Sequence, residues 1–311
     1  MTRFWDVGGY PHEGFRWLQS ALQLSQPSDG TDALGNAGNA EEALRAAALA
    51  RADALAGAGD QVWMLCRYDD SRSLFEECLV LCRAVDDPLR TARALVGLGR
   101  SYAVRGELDR ASAFQEEALV LSHRAGEHSV TRDALSNLGM IALLRGDLNL
   151  ARARFEEALA IRRDVGDEEG IVGSLWDTGE VALQRNDLDA AEALACEALV
   201  HARALHYTMA MLAGVEQVGR VAAARGQLPQ AVRLLAAARA LSDARSVPFT
   251  VPSYTLRQHE AARAATRLAL GDEAYAAADA AGRALSLEEA IAEALGEQVA
   301  RVGGRAISAP M

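Results

Sequence analysis

Lysine is absent from the 311 residues, so all 32 cationic side chains are arginines and a lysine-dependent phosphate loop is excluded. Aromatic residues make up only 5%, while alanine and leucine recur in almost every block; these lose little freedom in a helix, and an all-β chain is excluded. Cysteine is confined to Cys66, Cys78, Cys82 and Cys196, without the paired spacing of a zinc site or a secreted disulfide framework, so reduced thiols and no metal are expected. No apolar run approaches the roughly 18 residues of a membrane span. The opening Met1-Thr2-Arg3-Phe4-Trp5-Asp6 lacks the basic and apolar pattern of a signal peptide, so a cytoplasmic protein is expected. Acidic residues outnumber basic ones, for a net charge of −11, and this disfavours direct binding to nucleic acid. Arginine in place of lysine, with the alanine excess, is the signature of a GC-rich coding genome and is taken as bacterial.

What the sequence does have is a period. Arg105-Gly106-Glu107-Leu108-Asp109-Arg110-Ala111 returns as Arg145-Gly146-Asp147-Leu148-Asn149-Leu150-Ala151. It returns again as Arg185-Asn186-Asp187-Leu188-Asp189-Ala190-Ala191 and as Arg225-Gly226-Gln227-Leu228-Pro229-Gln230-Ala231, each 40 residues after the last. The same shift relates Gly59, Gly99, Gly139, Gly179 and Gly219, and also Cys78, Ala118, Ala158, Ala198 and Ala238. Within a unit, apolar residues such as Leu95, Leu98 and Tyr102, then Ala111, Ala118 and Leu119, fall at helical steps on either side of the Arg-Gly-Glu-Leu turn. That pattern predicts a helical hairpin. Gly106 and Gly146 suit left-handed caps, the acid that follows complements the positive end of the next helix, and Gly139 is expected to let its helix approach Ala151 and Ala158 closely.

The set Gly139, Ala142, Ala151, Phe155 and Ala158, followed by Gly59, Val62, Ser71, Phe75 and Cys78, resembles the tetratricopeptide repeat. The resemblance implies an all-α fold, a right-handed superhelical solenoid of helical hairpins in repeats of about 40 residues. An incomplete first repeat is expected over 1–24, a flexible insertion over 25–41, the repeat array over 42–244, a helical cap over 245–300 and a disordered tail over 301–311. Pro248 and Pro252 break the pattern before the cap, and Ser286-Leu287-Glu288-Glu289 reads as a capping box opening its last helix. From Trp5 and Glu13-Gly14-Phe15-Arg16-Trp17, through the units, to Leu270-Gly271-Asp272-Glu273, the order of parts resembles the repeat-containing half of bacterial signal-transduction ATPases and LuxR-type transcriptional regulators. Without a phosphate loop or a basic recognition helix, their ATPase and DNA-binding activities are not expected here.

No enzyme motif survives inspection. His12-Glu13 lacks a second histidine, and Gly97-Leu98-Gly99-Arg100 lies in a helical repeat rather than after a strand. No catalytic residue and no cofactor is expected, and Cys78 and Cys82, one turn apart, read as buried structural thiols.

The resemblance implies a groove lined by the first helix of each hairpin. Carried over by position, it selects Asp60, Trp63 and Met64, then Arg93 and Arg100, Asp133 and Met140, Trp176 and Glu180, and Glu216 and Arg220. The function expected is protein–protein interaction by a docking or sensing arm in signalling or transcriptional regulation, with Trp63 and Trp176 as anchors and Arg100 and Arg220 pairing carboxylates of a partner protein or peptide. Against it stands intramolecular cover, in which the tryptophans pack on neighbouring helices and Arg100 bridges an acid across the groove. A small-molecule or peptide sensor is the alternative function, and a homo-oligomer remains open.

Overall fold

The computed structural model describes residues 37–244 and 264–296, and all its regular structure there is helical. The readings made for 1–36, 245–263 and 297–311, including the incomplete first repeat and the tail, lie outside the described residues. The helices are α1 (Ala37–Met64), α2 (Tyr68–Ala84), α3 (Pro88–Val104), α4 (Leu108–Ala125), α5 (His128–Arg145), α6 (Leu148–Asp164) and α7 (Glu168–Gln184). They continue as α8 (Leu188–Ala204), α9 (Thr208–Ala224), α10 (Leu228–Ala244), α11 (Asp272–Arg283) and α12 (Leu287–Ala294), with a further helical stretch at 264–270. α1 begins at Ala37, inside the segment expected as an insertion, because Ala40-Glu41-Glu42-Ala43-Leu44 is strongly helix-forming.

The connections from α1 to α10 share one backbone closure. The N–H of Gly146 donates to the Leu143 carbonyl at 3.0 Å and that of Asp147 to the Ala142 carbonyl at 2.9 Å, a Schellman closure of α5. Asp147 then caps α6, its carboxylate accepting from the Leu150 N–H at 3.0 Å. Asp87 and Asp187 cap α3 and α8 in the same way, from Arg90 N at 2.8 Å and Ala190 N at 3.3 Å. At these aspartates one residue ends one helix and starts the next, whereas Arg67, Glu107 and Tyr207 hold the same position without a side-chain cap.

The structure divides into two compact units, residues 1–181 and 182–311. In the first, α1 packs on α2, α3 on α2 and α4, and α5 on α4 and α6, so hairpin stacks on hairpin. Its core holds Phe75, Leu95, Leu98, Phe155 and Leu175, each 2% exposed or less. The repeated glycine makes room for the bulky residue 16 positions later: a Cβ on Gly139 would stand 2.7 Å from the Phe155 ring, and one on Gly59 2.7 Å from Phe75. Close approach at Gly139 was expected from Ala151 and Ala158, but it is the Phe155 ring that fills the space. The repeated Arg and Asp of the turn also find each other. Arg145 donates to Asp109 at 2.7 Å, and Arg105 to Asp69, tying the end of one first helix to the start of the preceding second helix. Both pairs are exposed, so each contributes little to stability.

In the second unit α9 packs between α8 and α10 around Leu199, Leu212, Val215 and Leu234. α11 and α12 lie on α10, where a Cβ on Gly282 would meet the Arg233 carbonyl at 2.3 Å and Arg233 pairs with Glu293 at 2.7 Å. α12 opens on the reciprocal capping box of Ser286 and Glu289. Among the described residues no helix is long and apolar enough to cross a membrane. The four cysteines are free; Cys78 and Cys82 are buried with their sulfurs 3.9 Å apart, and Cys78 donates to the Ala52 carbonyl at 3.3 Å.

Candidate functional site

The face of α1, α3 and α5 in the first unit encloses a cavity of about 630 Å³. α3 forms its floor through Leu89, Arg93, Val96, Gly97 and Arg100, residues that helical spacing puts on one stripe. α1 contributes Ala56, Asp60 and Met64, and α5 with its cap contributes Glu127, Ser129, Val130, Asp133, Ser136 and Asn137. Phe75 and Arg162 reach it from the second helices.

Five residues selected from the sequence thus come together: Asp60, Met64, Arg93, Arg100 and Asp133. Trp63 does not line the cavity. It lies beneath Arg100, whose guanidinium carbon is 4.2 Å from the ring centroid, and packs edge-on to Tyr68 with ring centroids 5.9 Å apart. Arg100 also donates to Asp60 at 2.7 Å. The intramolecular reading therefore describes this pair, with the acid coming from the preceding repeat and not from across the groove. Its cation–π stack and ion pair fix α1 against α3.

Arg162 plays the corresponding part between α5 and α7. It is 9% exposed, yet its guanidinium donates to Ser136 at 3.0 Å, to Ser174 and to Asp133 at 3.3 Å. Desolvation by the surrounding wall pushes the Asp133 carboxyl above its ordinary value against the pull of Arg162. Glu127 is held below its ordinary value because it accepts from both the Ser129 hydroxyl, at 2.7 Å, and the Ser129 N–H, at 3.0 Å. Next along α7, burial raises Asp177 to about 7, with Glu180 adding to the effect and Arg162 opposing it.

The remaining selected residues lie apart from this cavity. Met140 and Trp176 are half-buried on α5 and α7, and Glu180 is fully buried. In the second unit Glu216 is half-buried and Arg220 is 8% exposed. Glu180 and Arg220, expected on an open groove surface, sit instead in the interior of their units.

Sequence reasoning missed Asn137 and Arg162. Asn137 falls two residues before the repeated glycine, outside the carried-over positions. Arg162 had a legible signal, since it aligns at the 40-residue period with Cys82, Ser122, Ala202 and Ser242, all small and buried. An arginine in that column has to find polar partners in the interior.

The Tetratricopeptide repeat family model matches residues 50–122 and 130–204. A search of curated proteins found no match. Among solved structures, BtubC (BKLC) from P. vanneervenii is similar with a TM-score of 0.58 at 17% identity, covering 76% of this chain and 92% of that one. A Rap protein complexed with Competence and Sporulation Factor has a TM-score of 0.58 at 14% identity, covering 78% of this chain and 65% of that one. The Rap conjugation gene regulator of the plasmid pLS20, in complex with the Phr* peptide, has a TM-score of 0.53 at 17% identity over 91% of this chain and 85% of that one. At these identities the likeness is one of fold, and it agrees with the stacked hairpins. Residues 50–122 and 130–204 match the tetratricopeptide repeat, and the stacked hairpins around them form a tetratricopeptide-like solenoid fold.

Proposed function

We propose that the chain is a non-catalytic docking module whose first unit takes a peptide segment along the cavity on α1, α3 and α5. One observation carries this reading. Nearly every polar side chain lining the cavity is committed inside the fold: Asp60 with Arg100, Asp133 and Ser136 with Arg162, Glu127 with Ser129. Among the described residues, the Arg93 guanidinium and the Asn137 amide line the same cavity without a hydrogen bond or ion pair of their own. An amide that both donates and accepts suits a peptide backbone, and apolar surface from Met64, Val96 and Leu89 stands beside it.

The peptide-bound Rap structures, which share the fold, support the peptide as occupant. Six of the sixteen lining residues carry charge, which favours a peptide over the alternative of a small-molecule sensor. The likeness of the part order to bacterial signal-transduction ATPases and LuxR-type regulators supports a docking or sensing arm in signalling or transcriptional regulation. Four free thiols fit a reducing cytoplasm.

The test is affinity selection from a defined pool of synthetic octapeptides on the full chain, read by mass spectrometry. Wild type retains a subset, and Asn137→Ala binds that subset about tenfold more weakly, the worth of one or two backbone hydrogen bonds, with helicity and melting unchanged. Equal retention by the variant would remove the cavity from this role.

A further inference from the structure

We infer that the peptide carries an aspartate or glutamate side chain at the point where it crosses α3, and that Arg93 pairs with it; this rests on the docking reading above. Three arginines and three acids line the cavity, so its formal charge balances. Their contacts do not. Arg100 is spent on Asp60 at 2.7 Å, with its face on Trp63. Arg162 is spent on Asp133, Ser136 and Ser174 and is itself buried. Glu127 is held by Ser129 at the start of α5, where the positive end of the helix also meets its charge. Arg93 is left exposed on α3, a cation with no ion pair or hydrogen bond among the described residues.

One uncommitted guanidinium, with the other two occupied, matches one carboxylate. A phosphate dianion would call for a second free cation. An arginine fork takes a carboxylate through two parallel hydrogen bonds, which gives geometric selectivity as well as attraction. The lining continues past Arg93 in both directions, to Leu89 one turn before and to Val96 and Arg100 after, so the bound segment runs on at either side. The carboxylate is then that of an internal side chain and not the chain terminus. Asn137, on the facing helix α5, is placed to hold the backbone of the same segment.

The experiment takes the octapeptides retained by wild type and resynthesises each acidic one in two forms: with asparagine or glutamine at the acid, and with an amidated C-terminus. Binding is read by fluorescence polarisation on full-length wild type, Arg93→Gln and Arg93→Glu, with melting as the folding control. Wild type is expected to bind the acid about tenfold or more tightly than its amide twin and to ignore C-terminal amidation. Arg93→Gln erases the difference, and Arg93→Glu turns the preference toward peptides bearing arginine or lysine. Equal binding of acid and amide by wild type, a preference that survives in Arg93→Gln, or an effect that follows C-terminal amidation would each overturn the inference while leaving the docking reading intact. If wild type retains no peptide at all, both fall.

Discussion

Nine residues with positive φ end the first nine helices, at Cys66, Asp86, Gly106, Gly126, Gly146, Gly166, Asn186, His206 and Gly226. They are spaced 20 residues apart, so the backbone repeats at half the period that the side chains display. Only five of the nine are glycine, and the other four carry the cost, on the order of 1 kcal/mol, of a side chain in the left-handed region. Glycine holds three of the five hairpin turns, with Cys66 and Asn186 at the others, and two of the four turns between hairpins, with Asp86 and His206 at the others, so residue type does not mark the half-period that the backbone keeps. Asp177 is the other residue whose environment sets its behaviour. Burial raises it from the ordinary 3.8 to about 7, so the folded chain holds a proton there that the unfolded chain has released. That contribution is present in full below the unfolded value and is lost as pH climbs to about 7, with a slope of at most about 1.4 kcal/mol per pH unit. Asp177→Asn should therefore melt higher than wild type at pH 8 and differ much less at pH 4. A constant gap across that range in thermal unfolding would show that the carboxyl does not titrate there.

At the scale of the element, the α1–α2 and α5–α6 hairpins hold together because a glycine on the first helix admits an aromatic ring from the second. Gly139→Ala puts a Cβ 2.7 Å from the Phe155 ring, which is fully buried, and should cost about 1–3 kcal/mol in chemical denaturation. Phe155→Leu in the same chain should return part of that loss, since the two residues compete for one space. Strictly additive losses would place the strain elsewhere. Helix order, the turns and the capping box of α12 could all be read from the sequence, because each rests on local spacing and cap chemistry. Which atoms fill the space over the repeated glycines could not, because spacing gives the face of a helix and not the reach of a side chain. Gln115 shows the limit: it takes the place held by Phe75 and Phe155, fully buried, and donates to the Val96 carbonyl at 3.0 Å.

For the molecule as a whole, the period brings some of the residues selected from the sequence to one cavity and leaves the others apart. Asp60, Met64, Arg93, Arg100 and Asp133 share one cavity because the period aligns their helices side by side. Trp63, which its size marked as an anchor, is instead the bed on which Arg100 lies, and Asn137 was passed over although its amide has no partner among the described residues. Those assignments depend on which polar groups satisfy one another, a question of three-dimensional pairing that a periodic sequence does not answer. The most direct measurement is amide hydrogen exchange of the full chain with and without a retained octapeptide. A peptide docked on α1, α3 and α5 adds protection centred on 56–64, 89–100 and 127–137 and leaves α2 and α4 unchanged. Protection confined to α2 and α4, or to the second unit, would contradict that docking.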